Sequence, residues 1–266
     1  MGLPRSVFYD ERVPKADEAV LRKRIEELAL LPDFNGYRRT TEQLKRESWA
    51  INHKRVARIR RELGLLPRRK RRWIRTTDSR HKLPVFPNLL AGFVPTGPNQ
   101  AWVADITYVG LVQGFVYAAV ILDLWSRKVV GWAISDRIDA ELTLAALQMA
   151  VADRKPAPGC LHHTDRGVQY AAEGYVKELT EHGFRGSMSR KGNPYDNATA
   201  ESFMGTLKRE CVRLWEYRDM TDVLARVPEF LEDVYNNRRL HSSLGYLTPV
   251  EFEARHQNQE TWTAAL

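Results

Sequence analysis

Between Ala101 and Ser135 the chain holds three strand-like apolar runs, at about 101–112, 114–123 and 127–135. Gln113-Gly114 and Ser126-Arg127-Lys128 supply the turns between them. Strands this close in sequence pair as an antiparallel meander. The texture then changes: a helix over 139–153, a strand over 159–164, a helix over 172–182, a strand over 184–189, and a long helix from near Asn197. Three antiparallel strands followed by this alternation describe an α/β fold, a mixed five-stranded sheet with helices on both faces.

Upstream the periodicity is helical. In 16–31, Val20, Leu21, Ile25, Leu28 and Leu31 recur at helical spacing, and Pro32 stops the run. Thr40 and Gln43 match a capping box that would open a second short helix. Asn52 is placed to cap a third over 53–63, with Val56, Ile59 and Leu63 inward and Gly64 closing its end. His53, Lys54, Arg55, Arg58, Arg60 and Arg61 are left for solvent or DNA. Two short helices ending in a basic one resemble a helix-turn-helix, whose last helix enters the major groove. The expected organisation is a helical DNA-binding region over 1–66, a basic linker over 67–97, an α/β core over 98–256 and a tail over 257–266.

Net charge is +8, unevenly spread. From Lys54 to Arg75 there are eleven Lys/Arg and one acid, Glu62, giving +10; the other residues sum to −2. This cluster, which includes Arg68, Arg69, Lys70, Arg71 and Arg72, points to a polyanion. No apolar run approaches the ~18 residues of a membrane span, and the N-terminal stretch has no apolar core of a secretory signal. Cys160 and Cys211 form no CxxC pair and read as small buried residues of a reducing cytosol.

Three carboxylates carry the chemistry. Asp105 interrupts an otherwise apolar strand, Asp165 follows the short run CLHHT, and Glu201 stands in the first turns of a helix, with thirty-five residues between it and Asp165. Each has a plainer reading alone: a strand-edge acid in water, a turn cap, a solvated helix face. Together they form an all-oxygen donor set, which suits a pair of Mg²⁺ ions, hard cations that keep several waters. Two such ions can activate an attacking oxygen and stabilise a leaving one in phosphoryl transfer. On the same helix, Gly205 and Lys208 fall on the side of Glu201 and offer a close approach and a cation. In the loop before it, Gly192 and Pro194 fix a turn and Asp196 and Asn197 cap the helix. One of His162 and His163 should face the core and the other the side of Asp165. A zinc reading of the pair is weak, because no further His or Cys stands at ligand spacing. The stretch 235–252, YNNRRLHSSLGYLTPVEF, either folds over the long helix or contacts DNA.

At this point HHTDRGVQY, KGNPYDNATAESFMGTLKRE and YNNRRLHSSLGYLTPVEF closely resemble the signatures of insertion-sequence transposases of the OrfA/OrfB type. Their catalytic core is similar to that of retroviral integrases and ribonuclease-H-like in fold. The match covers nearly the whole chain, with GYRRTTEQLKRE…INHKRVARIRRELGL (36–65) resembling the family's helix-turn-helix. The resemblance puts a D-D-E triad on Asp105, Asp165 and Glu201 and a DNA-contacting cation on Lys208. His163, Asn193 and Asn197 are candidates for supporting that site. It also implies two Mg²⁺ ions, for which Mn²⁺ can substitute, and double-stranded DNA partners, the transposon ends and a target.

The implied reaction is hydrolysis that frees a 3′-OH, then attack of that hydroxyl on a new phosphodiester. Self-association on DNA, an OrfA part or OrfA–OrfB fusion and a bacterial cytoplasmic, nucleoid-associated location follow by the same analogy. There is no heptad repeat, so the chain looks like the OrfB part. Ser48-Trp49-Ala50 stands where the family often has a glycine before its third helix. The rival readings are a catalytically silent DNA-binding regulator and a nuclease that cannot join strands.

Overall fold

The computed structural model describes residues 18–34, 36–65, 85–190 and 193–264. The basic run Arg68–Arg72 lies outside them. The chain divides into two compact units, Met1–Arg72 and Trp73–Leu266.

The first unit is helical: α1 (Glu18–Leu30), a 3₁₀ turn (Pro32–Phe34), α2 (Tyr37–Arg46) and α3 (His53–Glu62). Leu21, Ile25, Leu28, Leu44, Val56 and Ile59 form its core, whereas Val20 and Leu31, expected in the apolar stripe, are exposed. Asn52 caps α3 by accepting from the Arg55 N–H at 3.0 Å. Gly64, at φ +70°, ends it with the Leu65 N–H on Arg60 O and its own N–H on Arg61 O, a Schellman closure. The end of α2 closes the same way through Ser48, which adopts φ +65°; the expected glycine's left-handed conformation is taken by a serine.

Two expectations fail here. The Thr40–Gln43 capping box is not formed, because α2 starts at Tyr37 with Gly36 at its N-cap. Thr40 and Thr41 lie inside the helix, buried, with hydroxyls donating to Gly36 O at 3.2 Å and Tyr37 O at 2.7 Å. Arg60 does not face solvent. It is 5% exposed, and its guanidinium donates to Phe34 O at 3.3 Å and Thr40 Oγ1 at 3.1 Å. Helical periodicity placed it beside Ile59 on the boundary of the apolar face, and an unsatisfied carbonyl across the unit drew it inward.

The second unit holds a five-stranded sheet in the order β3-β2-β1-β4-β5. The strands are β1 (Ala101–Gly110), β2 (Phe115–Asp123), β3 (Val129–Ser135), β4 (Leu161–Thr164) and β5 (Arg185–Met188). β1–β2 and β2–β3 are antiparallel; β1–β4 and β4–β5 are parallel. The helices are α4 (Ala140–Arg154), α5 (Glu173–Glu181), α6 (Ala198–Glu210), α7 (Met220–Glu229) and α8 (Pro249–Ala264).

Period-two alternation splits β1 between two cores. Trp102 and Ala104 join Leu142, Leu147, Tyr175 and Leu179 of α4 and α5. Val103 and Val109 join Phe203 and Leu207 of α6 and Val223 and Val227 of α7. α4 comes so close to β3 that a Cβ on Gly131 would lie 2.3 Å from Ala146 O. Of the stretch expected as linker, 85–97, Phe86 lies against Gly186 of β5 and the Leu89 N–H donates to Ser187 Oγ at 2.9 Å. The expected tail is helical to Ala264, within α8. Among the described residues no helix is long and apolar enough to cross a membrane.

If Arg60 is a buried strut, Arg60→Ala should shift the urea midpoint by an amount equivalent to about 2–3 kcal/mol, from lost bonds to a charged donor. A side chain serving DNA alone would leave the midpoint unchanged.

Candidate active site

The parallel pairing of β1 and β4 builds the site. Its register sets Trp102 beside His162 and Val103 beside His163. Continued by two residues, it brings Asp105 alongside Asp165. Both then fall on the face shared with Val103, the face covered by α6, whose first turn carries Glu201. A carboxylate is favourable there, near the positive end of the helix dipole.

The acids feel one another. The Asp105 carboxyl is pushed up to about 7, first by burial and then by the charge of Asp165, with Glu201 adding to it. The Ile106 N–H, donating at 2.8 Å, and the Lys208 ammonium oppose this shift. Glu201 is raised by burial and by Asp165. Asp165 accepts the Gly167 N–H at 2.9 Å, which fixes its carboxylate over the turn. Lys208 sits two turns along α6 with its ammonium 4.4 Å from the Tyr108 ring centroid, and its pKa is lowered by burial.

Among the described residues no three His, Cys, Asp or Glu side chains are gathered closely enough to hold one ion as they stand. The acids therefore form a set in electrostatic contact, not a finished coordination shell. Their chemistry nonetheless suits a hard divalent cation: the donors are carboxylate oxygens, and burial and the neighbouring acids raise the Asp105 carboxyl despite the Ile106 N–H and the Lys208 ammonium.

Around the acids the structure builds a polar frame. His162 points to the α4/α5 side and shares a 2.6 Å hydrogen bond with the Tyr175 hydroxyl. His163 lies on the side of Asp165, bonded to Ser187 Oγ at 2.8 Å and Ser189 Oγ at 3.0 Å. Burial holds both imidazoles neutral, pushing them down to about 3 and about 4 respectively. Asp196 does not cap α6. It takes a two-pronged ion pair from Arg190, at 2.9 and 3.0 Å, and accepts the Arg190 N–H, clamping the two ends of the loop that precedes α6. Asn197 occupies the N-cap position without a side-chain cap bond; its Nδ2 donates to Ala104 O at 3.3 Å, tying α6 to the strand of Asp105. Asn193 sits in the same loop, its N–H on Arg190 O at 3.2 Å.

The stretch 235–252 packs against the fold. Asn236 grips the backbone of Val129 with both side-chain atoms, at 2.9 and 3.0 Å. Arg239 forms a buried two-pronged pair with Glu210 at the end of α6, at 2.7 and 3.1 Å. Tyr235 stands edge-on to Phe203, centroids 4.8 Å apart. The sequence showed these residues but not their partners, which lie 29 and 107 positions away in the two polar cases.

On α3, Lys54 and Arg61 are exposed. Arg55 pairs with Glu18, and Arg58 with Glu62 at 2.8 Å and Glu18 at 3.3 Å. Exposed pairs of this kind are weak and screened by salt, so a phosphate can compete for these guanidinium groups.

Residues 95–194 and 182–249 match the integrase core domain family, and residues 15–73 match an HTH-like domain. The transposase InsF of insertion sequence IS3A from Escherichia coli strain K12 is 42% identical over 222 residues, 83% of this chain and 77% of that protein. The chain belongs to the IS3-family transposases. An uncharacterised 31 kDa protein of insertion element IS600 from Shigella sonnei is also 42% identical, over 83% of this chain and 82% of its own length. In fold, the second unit's architecture is that of integrases. A chain of the simian T-cell lymphotropic virus intasome, solved with the PP2A regulatory subunit B56 gamma, aligns at TM-score 0.52 and 16% identity, covering 77% of this chain and 67% of that one. The transposase is thus a polynucleotidyl transferase with an integrase core, a class that uses divalent metal ions, joined to a DNA-binding helical domain.

The raised Asp105 carboxyl has a pH signature. Its folded pKa, about 7, exceeds the ordinary value of 3.8, so the folded state binds the extra proton in between. In EDTA, stability should fall as pH rises from about 4 to about 7 and then level. Asp105→Asn should flatten that slope and melt above the parent at pH 8; equal melting profiles would contradict the site's electrostatics.

Proposed function

We propose that the transposase cuts at the ends of its insertion sequence and joins them to target DNA, with Asp105, Asp165 and Glu201 as the D-D-E triad. What supports this reading is the parallel β1/β4 register, which continued by two residues would bring Asp105 beside Asp165, together with the mutual charge effects that raise the carboxyls of Asp105 and Glu201. Two Mg²⁺ ions, or Mn²⁺, held by these acids would supply activation of the attacking oxygen and stabilisation of the leaving one. The chain's own part is to present oxygen donors and to position the phosphodiester.

In the first step water attacks phosphorus at the transposon end, and the 3′-oxygen leaves and takes a proton. In the second, that 3′-OH attacks a target phosphodiester, forming the new bond as the target's own 3′-oxygen departs. No side chain becomes covalently linked to DNA. Lys208, beside the triad and half-buried, contacts a phosphate or base next to the scissile bond. His163, Asn193 and Asn197 support the site from the loop and from β4. Lys54, Arg55, Arg58 and Arg61 approach DNA from α3, and Arg68, Arg69, Lys70, Arg71 and Arg72 track its backbone. Two ends must be brought together, so self-association on DNA belongs to this reading, as does an OrfA part or OrfA–OrfB fusion that completes end recognition.

Asp165→Asn and Glu201→Gln should each abolish nicking and joining of an end-containing duplex, by at least about a thousandfold, while gel-shift affinity stays within a factor of a few. EDTA should do the same to the parent. Robust joining by Asp165→Asn would sink the triad, and DNA binding by the parent without metal-dependent nicking would favour a silent regulator.

Replacing the five residues Arg68 to Arg72 by glutamine should flatten the log–log salt dependence of DNA affinity by roughly 0.9 for each phosphate that is no longer neutralised. An unchanged slope would remove this segment from the interface.

A further inference from the structure

Four buried side-chain atoms among the described residues have no hydrogen-bond partner: Thr107 Oγ1, His162 Nδ1, the Tyr170 hydroxyl and Asn197 Oδ1. All four sit on the strands, turn or helix cap that frame the acids. A buried polar group without a partner costs about 1–3 kcal/mol, and such groups are rare enough that each needs a reason. Tyr170 is the most demanding of the four, since phenylalanine would fill the same space without that cost.

Tyr170 is 2% exposed and packs edge-on against Tyr175, centroids 5.4 Å apart. The Tyr175 hydroxyl is hydrogen-bonded to His162 Nε2, and the Tyr170 oxygen has no partner. Two hydrogen bonds fix Tyr170 relative to Asp165. The Tyr170 N–H donates to Gly167 O at 3.1 Å, and the Gly167 N–H donates to Asp165 Oδ1 at 2.9 Å. A Cβ on Gly167 would lie 3.0 Å from Asp165 Oδ1 and 3.6 Å from Tyr170 Cδ2, so carboxylate and ring flank one α-carbon. Burial, Tyr175 and the charges of Asp105 and Asp165 all hold the phenol protonated, as a donor within electrostatic reach of both acids.

We propose that Tyr170 is a positioning residue of the acid site: through one ordered water its hydroxyl donates to the Asp105–Asp165 pair and holds those carboxylates oriented for a divalent cation. This rests on the reading of both acids as metal ligands. Outer partners of metal ligands orient them, and their loss typically costs 10–100-fold in metal affinity or activity. The hydroxyl's cost to folding is then the expense of a preorganised site.

The test uses the full chain with Mn²⁺ as probe. Melting is measured in EDTA, free Mn²⁺ is titrated by electron paramagnetic resonance, and end cleavage is assayed in parallel. Tyr170→Phe should melt at or above the parent temperature, yet bind Mn²⁺ about tenfold more weakly and cleave about 10–100-fold more slowly. Tyr175→Phe, which breaks a made hydrogen bond, should melt lower and keep the parent's Mn²⁺ affinity. Parent-like Mn²⁺ affinity in Tyr170→Phe would overturn the inference, and so would a melting point well below the parent's, since the hydroxyl would then serve packing. Asp165→Asn separates the two levels. If it keeps parent Mn²⁺ affinity, the metal reading fails and takes this inference with it; if it loses the ion while Tyr170→Phe does not, only the role of Tyr170 falls.

Discussion

The site depends on one pairing. β1 and β4 run parallel at the centre of the sheet, paired as far as Val103 and His163, so Asp105 and Asp165 each follow two residues further along and feel one another's charge. Like charges at such a position repel, and partial burial strengthens the repulsion by excluding water. The protein offsets only part of this cost. Asp105 takes the Ile106 N–H, Asp165 takes the Gly167 N–H, and Lys208 lends a positive field from α6. The remainder leaves Asp105 with a carboxyl pushed up to about 7. A carboxyl raised by burial and by like charge is an arrangement that folding alone would disfavour, and such perturbed groups cluster at functional sites.

Holding α6 against that repulsion requires anchors at both ends. At its start, Asn197 ties the cap to Ala104 O, and the Arg190–Asp196 pair closes the loop before it. At its end, Glu210 is buried against Arg239. Breaking a buried pair by removing one partner is strongly destabilising, whereas replacing both by apolar residues often is not. The Glu210–Arg239 pair therefore acts through direction: it sets how α6 lies across β1. The π-helical stretch Phe230–Arg238 delivers Asn236 and Arg239 to their partners, and its widened turns follow Pro228, which lacks the N–H of a regular helix. The stretch 235–252 thus braces α6 against the sheet, as its folding reading expects.

Much of this was legible in the residues. The meander, the later alternation of helix and strand, the Asn52 cap and the Gly64 stop are local effects, written in period, turn chemistry and capping. The two faces of β4 followed from alternation, which sent His162 to one core and His163 to the other side. What could not be read depends on distant partners. Thr40 has the sequence context of a cap, but its hydroxyl finds the Gly36 carbonyl within its own helix and Arg60 across the unit. Asp196 has the same look, yet Arg190 claims it. Tyr170 stood in plain view within HHTDRGVQY, but nothing in a sequence marks a hydroxyl as lacking a partner.

That last kind of residue shows where folding and chemistry part. A helix or strand assignment improves as local signals agree, because agreement across levels is what makes a chain fold. Around Asp105 the signals disagree: an acid inside a strand and another just past the next one, Thr107 and Asn197 with orphaned oxygens, a phenol with no partner. Each departs from the rule that buried polar groups are paired, and the departures share one neighbourhood. Scattered exceptions would be noise of packing. Gathered on the strands, turn and helix cap around two carboxylates that repel each other, they mark the one neighbourhood where the described residues depart together from the rules of packing.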